Sequence, residues 1–135
     1  MSPATDQTGA VMRRYLDAIQ TGDVETIRDS FAADATWWLA GDLPVSGTYD
    51  GRDAIVDEFL VGVGGRFDPA TRTFTLGEPL VIGAIAVLEW RVEARTTDGV
   101  PYDNRYCGIF ETDGERITAV REYLDTKHMS EALFG

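Results

Sequence analysis

The chain has 135 residues, with 23 acidic against 12 basic side chains and a formal net charge of -11 at neutral pH. That length suits one domain with its own core, and 44% hydrophobic with 26% charged residues is a globular rather than a disordered composition. The charge argues against a nucleic-acid partner, which needs a basic face, and against an anionic membrane surface.

Cys107 is the single cysteine, so neither an intramolecular disulfide nor a cysteine-rich metal site is available. Met1 to Gly9 lack the basic start and apolar core of a signal peptide. The most apolar stretch, Leu80 to Leu88, is far too short to span a bilayer. A cytoplasmic protein without a membrane partner is the expectation.

Val11, Met12, Tyr15, Leu16 and Ile19 recur at helical spacing opposite Arg13, Arg14 and Asp17, which predicts an amphipathic helix. It ends at Thr21-Gly22, where glycine supplies a left-handed cap. Asp23 caps a second helix with Val24, Ile27 and Phe31 on its buried side. Asp34 to Leu39 reads as a short strand and Gly41 to Gly51 as a loop. Asp53 to Val61 reads as a third helix, ended by Gly62, Gly64 and Gly65. The period then falls to two. Thr71 to Leu76, Leu80 to Arg95, Tyr102 to Thr112 and Arg116 to Thr126 read as strands, with hairpin turns at Asp98-Gly99 and Asp113-Gly114. Helices first and an antiparallel meander after them make an α+β fold, in one domain over residues 1–135.

Strand parity sorts the side chains into faces. From Leu88 to Arg95 the even positions Leu88, Trp90, Val92 and Ala94 are apolar, and the odd positions Glu89, Arg91, Glu93 and Arg95 are charged. Taken alone, the pattern turns the apolar face to the core. If a second copy of the chain covers that face, the charges line a cavity instead. Tyr102, Asn104, Tyr106, Gly108 and Phe110 share a face of the next strand. On the last strand Glu122 and Leu124 fall on one face, Tyr123 and Asp125 on the other, and parity does not say which face points in.

The layout resembles the nuclear transport factor 2-like superfamily, which includes ketosteroid isomerase, limonene-1,2-epoxide hydrolase and the SnoaL-like polyketide cyclases. The matching segments are Ile19-Gln-Thr-Gly-Asp23, Phe31-Ala-Ala-Asp-Ala-Thr-Trp37, Tyr49-Asp-Gly-Arg-Asp-Ala-Ile55, Tyr102-Asp-Asn-Arg-Tyr106, and Asp113-Gly-Glu-Arg-Ile117 running into Arg121-Glu-Tyr-Leu-Asp125. The resemblance implies a cone-shaped, curved antiparallel sheet wrapped around N-terminal helices. This is the cystatin-like or ketosteroid isomerase-like α+β barrel, with helices closing the cone over a pocket. It implies the fold more sharply than the reaction.

The isomerase pattern fails on transfer, because its general-base aspartate falls on Leu39 and its oxyanion-hole acid on Gly108, leaving only Tyr15. The epoxide hydrolase pattern, an arginine bridging two acids, transfers as Glu93, Arg91 and Glu122. By that resemblance Arg91, Glu93 and Glu122 are catalytic, with Glu122 as base and Glu93 as acid or the two roles exchanged, since a pair sharing an arginine titrates as a unit. Trp37 and Leu39 stand where that family holds its attacking water with a tyrosine and an asparagine. Tyr15, Trp37, Trp38, Leu39, Glu89, Asn104, Tyr106 and Leu124 are the candidate substrate-binding residues. His128, just past the last strand, reads as a surface residue.

Three function classes stay open. The first is a cofactor-independent acid/base enzyme acting on a small hydrophobic organic substrate by epoxide hydrolysis, by polyketide-type cyclisation or dehydration, or as an isomerase with a different base. The second is a non-catalytic small-molecule binding protein, and the third an interaction module. No metal-ligand spacing or phosphate loop is present, so no metal or cofactor is expected. A two-fold homodimer is expected, with the Leu88, Trp90 and Val92 stripe buried on the convex side.

Overall fold

The computed structural model describes residues 2–135. Helix α1 (Pro3–Thr21) starts at Ser2, whose side chain accepts from the Thr5 N–H. It stops where Gly22 turns left-handed at φ 71° and returns its N–H to the Ala18 carbonyl, as the sequence implies. Asp23 caps the short helix α2 (Val24–Asp29) by accepting from the Thr26 N–H.

Seven strands follow: β1 (Phe31–Leu39), β2 (Gly47–Asp50), β3 (Thr73–Leu76), β4 (Leu80–Ile82), β5 (Ile85–Arg95), β6 (Pro101–Thr112) and β7 (Ile117–Leu124). They form one curved sheet in the order β2-β1-β7-β6-β5-β3, with β4 paired to β5. The ends of that order do not meet, so the barrel is unclosed. The expected meander holds for β5, β6 and β7, which pair antiparallel through the Asp98-Gly99 and Asp113-Gly114 turns. The sheet as a whole is mixed, because β1 runs parallel to β7.

Several boundaries differ from expectation for local reasons. The anticipated single strand from Leu80 to Arg95 folds back at Gly83, where φ is 58°. The turn is tied to α1, since Thr8 Oγ1 donates to the Gly83 carbonyl at 2.7 Å and the Gly83 N–H donates to Thr5 Oγ1 at 2.9 Å. The expected loop contains β2. The third helix is a π-helix over Ala54–Val61, and Gly62–Gly64 extend it as the short helix α3 instead of ending it. Past β7, Asp125 caps helix α4 (Thr126–Phe134), accepting the His128 N–H at 3.1 Å.

The core lies between α1, the π-helix and the concave face of the sheet. Tyr15 meets Phe31 and Phe110 at 5.6 and 5.7 Å between ring centroids, and Trp37 meets Phe59 at 5.3 Å. This aromatic lattice floors one end of a cavity and leaves the other end open.

Candidate functional site

Register decides which side chains share the concave face. Leu88, Gly108 and Glu122 are cross-strand partners on β5, β6 and β7, and Glu122 is also paired to Leu39 on β1. One step along, Trp90, Tyr106 and Leu124 are partners. Leu88 and Val92 are buried, so the apolar parity of β5 points inward. Gly108 makes this possible. A Cβ there would lie 3.0 Å from the Trp90 ring and 2.8 Å from the Phe110 ring, so the missing side chain is the space the two aromatics occupy. Trp90 then stacks on Tyr106, with centroids 5.2 Å apart and planes 3° from parallel.

The result is a cavity of about 590 Å³ between the sheet, α1 and the π-helix. Its walls are largely Leu, Ile, Val, Phe and Trp, with the polar atoms of Tyr15, Trp37, Tyr106, Thr97, Arg72 and Glu122 as exceptions. Glu122 is the only carboxylate among the described lining residues, and it is 5% exposed. Burial among apolar groups disfavours its charge and pushes its pKa up to about 8, although Trp37 Nε1 donates to its Oε1 at 3.3 Å and pulls the other way. Burial also pushes the Tyr15 hydroxyl up, and the neighbouring Glu122 adds to the effect.

Behind the cavity wall lies a hydrogen-bonded cluster of Asn104, Tyr102 and Tyr106. Asn104 Nδ2 donates to the Tyr102 hydroxyl at 2.9 Å and to the Asp125 carbonyl at 3.0 Å. The Tyr102 and Tyr106 hydroxyls are hydrogen-bonded to each other, and burial pushes the Tyr106 hydroxyl up. The Tyr102 oxygen accepts from Asn104 and has a second lone pair, so either hydroxyl can be the donor in the Tyr102–Tyr106 bond.

The structure separates the residues expected to act together. Glu122, Trp37, Tyr15 and Tyr106 line the cavity. Asn104 is buried one layer behind it, Leu39 packs in the core and the half-buried Leu124 packs against the core, neither reaching the cavity. Glu89, Arg91 and Glu93 are on the opposite face, because their parity partners Leu88, Trp90 and Val92 point in. Arg91 donates to Asp103 through Nε at 2.8 Å and Nη2 at 2.7 Å, and its Nη2 lies 3.5 Å from Glu93. The expected Glu93–Arg91–Glu122 triad is therefore not assembled. Trp38 is likewise outside, packed edge-on against Tyr123 at 5.4 Å. Leu88, Trp90 and Val92 line the cavity, so the stripe is on the concave face and not on the convex side where it was expected to meet a second copy.

His128 is outside the cavity lining, accepting the Asp103 N–H at its Nε2 and stacking on Tyr102 at 5.0 Å. Sequence reasoning missed Trp90, Phe59, Phe110, Met129 and Arg72 as lining residues. The glycine between Tyr106 and Phe110 was the readable sign for Trp90, since a mid-strand glycine on a packed face marks a place for a neighbour's ring. Among the described residues no cluster of three or more His, Cys, Asp or Glu could hold a metal ion, and no helix is long and apolar enough to cross a membrane.

The family profile for the SnoaL-like domain matches residues 12–120. The chain belongs to the SnoaL-like domain family. Its structure is similar to Bal32a from a soil-derived mobile gene cassette, with 25% identity, TM-score 0.83, and coverage of 96% of this chain and 98% of that one. It is similar to an NTF2-like protein from Burkholderia thailandensis, with 19% identity, TM-score 0.84, and coverage of 95% and 98%. It also shares its fold with an LEH-like epoxide hydrolase from M. tuberculosis, with 21% identity, TM-score 0.70, and coverage of 96% and 90%. No curated protein matches the sequence. The SnoaL-like domain thus has an LEH-like epoxide hydrolase among its structural neighbours, and its own inner face carries a different acid arrangement from the one expected.

Proposed function

We propose that this SnoaL-like domain is a cofactor-independent proton-transfer enzyme acting on a small, largely apolar organic molecule, with Glu122 as its acid/base group. One observation carries the reading. A lone carboxyl, its pKa up to about 8, faces an apolar cavity of about 590 Å³, a size in the range of small-molecule sites. A carboxyl tuned near the working pH can both give and take a proton.

At neutral pH Glu122 is mostly protonated. The Trp37 N–H occupies Oε1, which leaves Oε2 to carry the proton. A single carboxyl of this kind suits dehydration. It gives its proton to a departing hydroxyl, the C–O bond breaks to release water, and the carboxylate removes a proton from the adjacent carbon to form the double bond and restore the acid. Cyclisation with loss of water, and double-bond isomerisation, use the same give and take. The Tyr15 hydroxyl, which lines the cavity, supplies a donor for an oxygen that gains charge. Epoxide opening by the three-residue device is not favoured, since Arg91 and Glu93 are on the other face.

Glu122→Gln is the test, because glutamine keeps the size and loses the titrating proton. Across a panel of β-hydroxy ketones, enones and polyketide-like compounds, turnover should fall ~100-fold or more while ligand binding persists. The wild-type rate should respond to pH with an apparent pKa near 8. Unchanged turnover in the variant would remove Glu122 from the chemistry. A non-catalytic binding protein is the second reading, favoured by the lack of any second carboxylate among the described lining residues. Ligand binding without turnover across the panel would establish it.

A further inference from the structure

The open end of the cavity carries one cation. Arg72 comes just before β3, half-buried, and it is the only Lys or Arg among the described lining residues. Its guanidinium sits 5.2 Å from the centroid of the Phe74 ring. On the other side it reaches Gly64, where a Cβ would come within 3.4 Å of Nη1. Arg72 therefore bridges the mouth from the sheet edge to the end of helix α3.

What it lacks is a partner. Arg14, Arg28, Arg91, Arg116 and Arg121 pair with carboxylates, and the basic residues that do not, such as Arg13, Arg66 and Arg105, are outside the cavity lining. Among the described residues Arg72 has neither a carboxylate within 4.0 Å nor a side-chain hydrogen bond, in a chain of net charge -11. A half-buried guanidinium lying over Phe74 beside a largely apolar cavity loses water when an apolar body enters, which is costly unless an anion arrives with the ligand. Glu122, at the floor and mostly neutral near pH 7, would not repel one.

We propose that the ligand is an organic acid, an apolar body ending in one anionic group, with the anion bound by Arg72 at the mouth and the body extending inward to Glu122. This rests on the cavity being the working site, as the proposed function holds, but it does not require Glu122 to turn the ligand over. The guanidinium fork matches the oxygens of a carboxylate or sulfonate, and its face stays on Phe74.

Two probes with one body separate charge from shape: anilinonaphthalene sulfonate, which is anionic, and N-phenyl-1-naphthylamine, its neutral counterpart. Fluorescence titration of the full chain should show both binding and the anion displacing the neutral probe. Arg72→Met, which keeps the stem over Phe74, should weaken the anionic probe about 10-fold or more and leave the neutral probe unchanged. Arg72→Lys should recover part of the loss. Unchanged affinity for the anionic probe, or equal losses for both, would overturn the proposal, as would failure of either probe to bind the wild type. Neutral-probe binding also reports that each variant keeps its cavity. Glu122→Gln should leave the preference for the anionic probe intact, so loss of the acid/base reading and loss of this one are separable.

Discussion

Asp103 and Glu122 lie on adjacent strands of one sheet and their carboxyls are driven in opposite directions. Asp103 faces outward with 55% of its side chain exposed, and the Arg91 guanidinium bonded to it holds its carboxyl below the usual carboxylate range. Glu122 faces inward, 5% exposed, and burial pushes it up to about 8. The outer face even holds an arginine between two acids, Asp103 and Glu93. Water reaches that cluster, so its charges stay as charges and are screened. Among the described residues the cavity lining on the inner face holds a single acid, whose environment makes its proton exchangeable near neutrality. Residue type does not distinguish the two regions; dielectric surroundings do.

The adjacent tryptophans of β1 give the largest expected contrast. Trp37 is 2% exposed, packs on Phe59 and Phe110, and donates to Glu122. Trp37→Ala should cost about 3–5 kcal/mol in urea unfolding. Trp38 points outward, and Trp38→Ala should cost at most ~1.5 kcal/mol, the scale of its aromatic contact with Tyr123. Similar costs for the two would mean that β1 is turned the other way.

Next in size is the pH dependence of stability that Glu122 imposes. Its native pKa, up to about 8, lies above its ordinary value of 4.5. Between those values the native state holds a proton that the unfolded state has released, so stability falls as pH rises. From pH 6 to pH 8 that contribution should drop by about 2 kcal/mol, and Glu122→Gln should remove it. Parallel curves for wild type and variant would show that the carboxyl titrates normally.

The order of helices and strands was legible because each signal is local: Asp23 as a cap, Gly22 as a stop, Asp98-Gly99 and Asp113-Gly114 as turns. The parity of β5 was legible too, but parity divides a strand into faces without saying which is inside. Register against β6 settles that, where Gly108 makes room for the Trp90 ring. The resemblance to the epoxide hydrolases turned the charged face inward, against the simpler apolar-in pattern, and the simpler pattern is the one found. Glu122 was recognisable as a candidate, but not its isolation. That depends on Arg91 and Glu93 being across the sheet, a long-range fact. Helix α4 and the break at Gly83 were missed because Asp125 and Gly83 gain their roles from contacts with distant segments.

The smallest expected effect bears most directly on that reversal. Arg91→Met removes the centre of the outer cluster and keeps an unbranched stem. Arg91 makes two hydrogen bonds to Asp103 and a longer contact to Glu93, all on side chains at least a third exposed. Exposed pairs gain little because water competes for the same donors and acceptors. Strand β5 also keeps its full ladder to β6 through Leu88, Trp90 and Val92. Arg91→Met should therefore leave probe binding and turnover at wild-type levels, with thermal unfolding close to that of the parent. A loss of turnover on the order of 10-fold or more, with cavity binding preserved, would mean that the guanidinium reaches the reaction from the outer face. The inner face would then no longer contain the whole catalytic set.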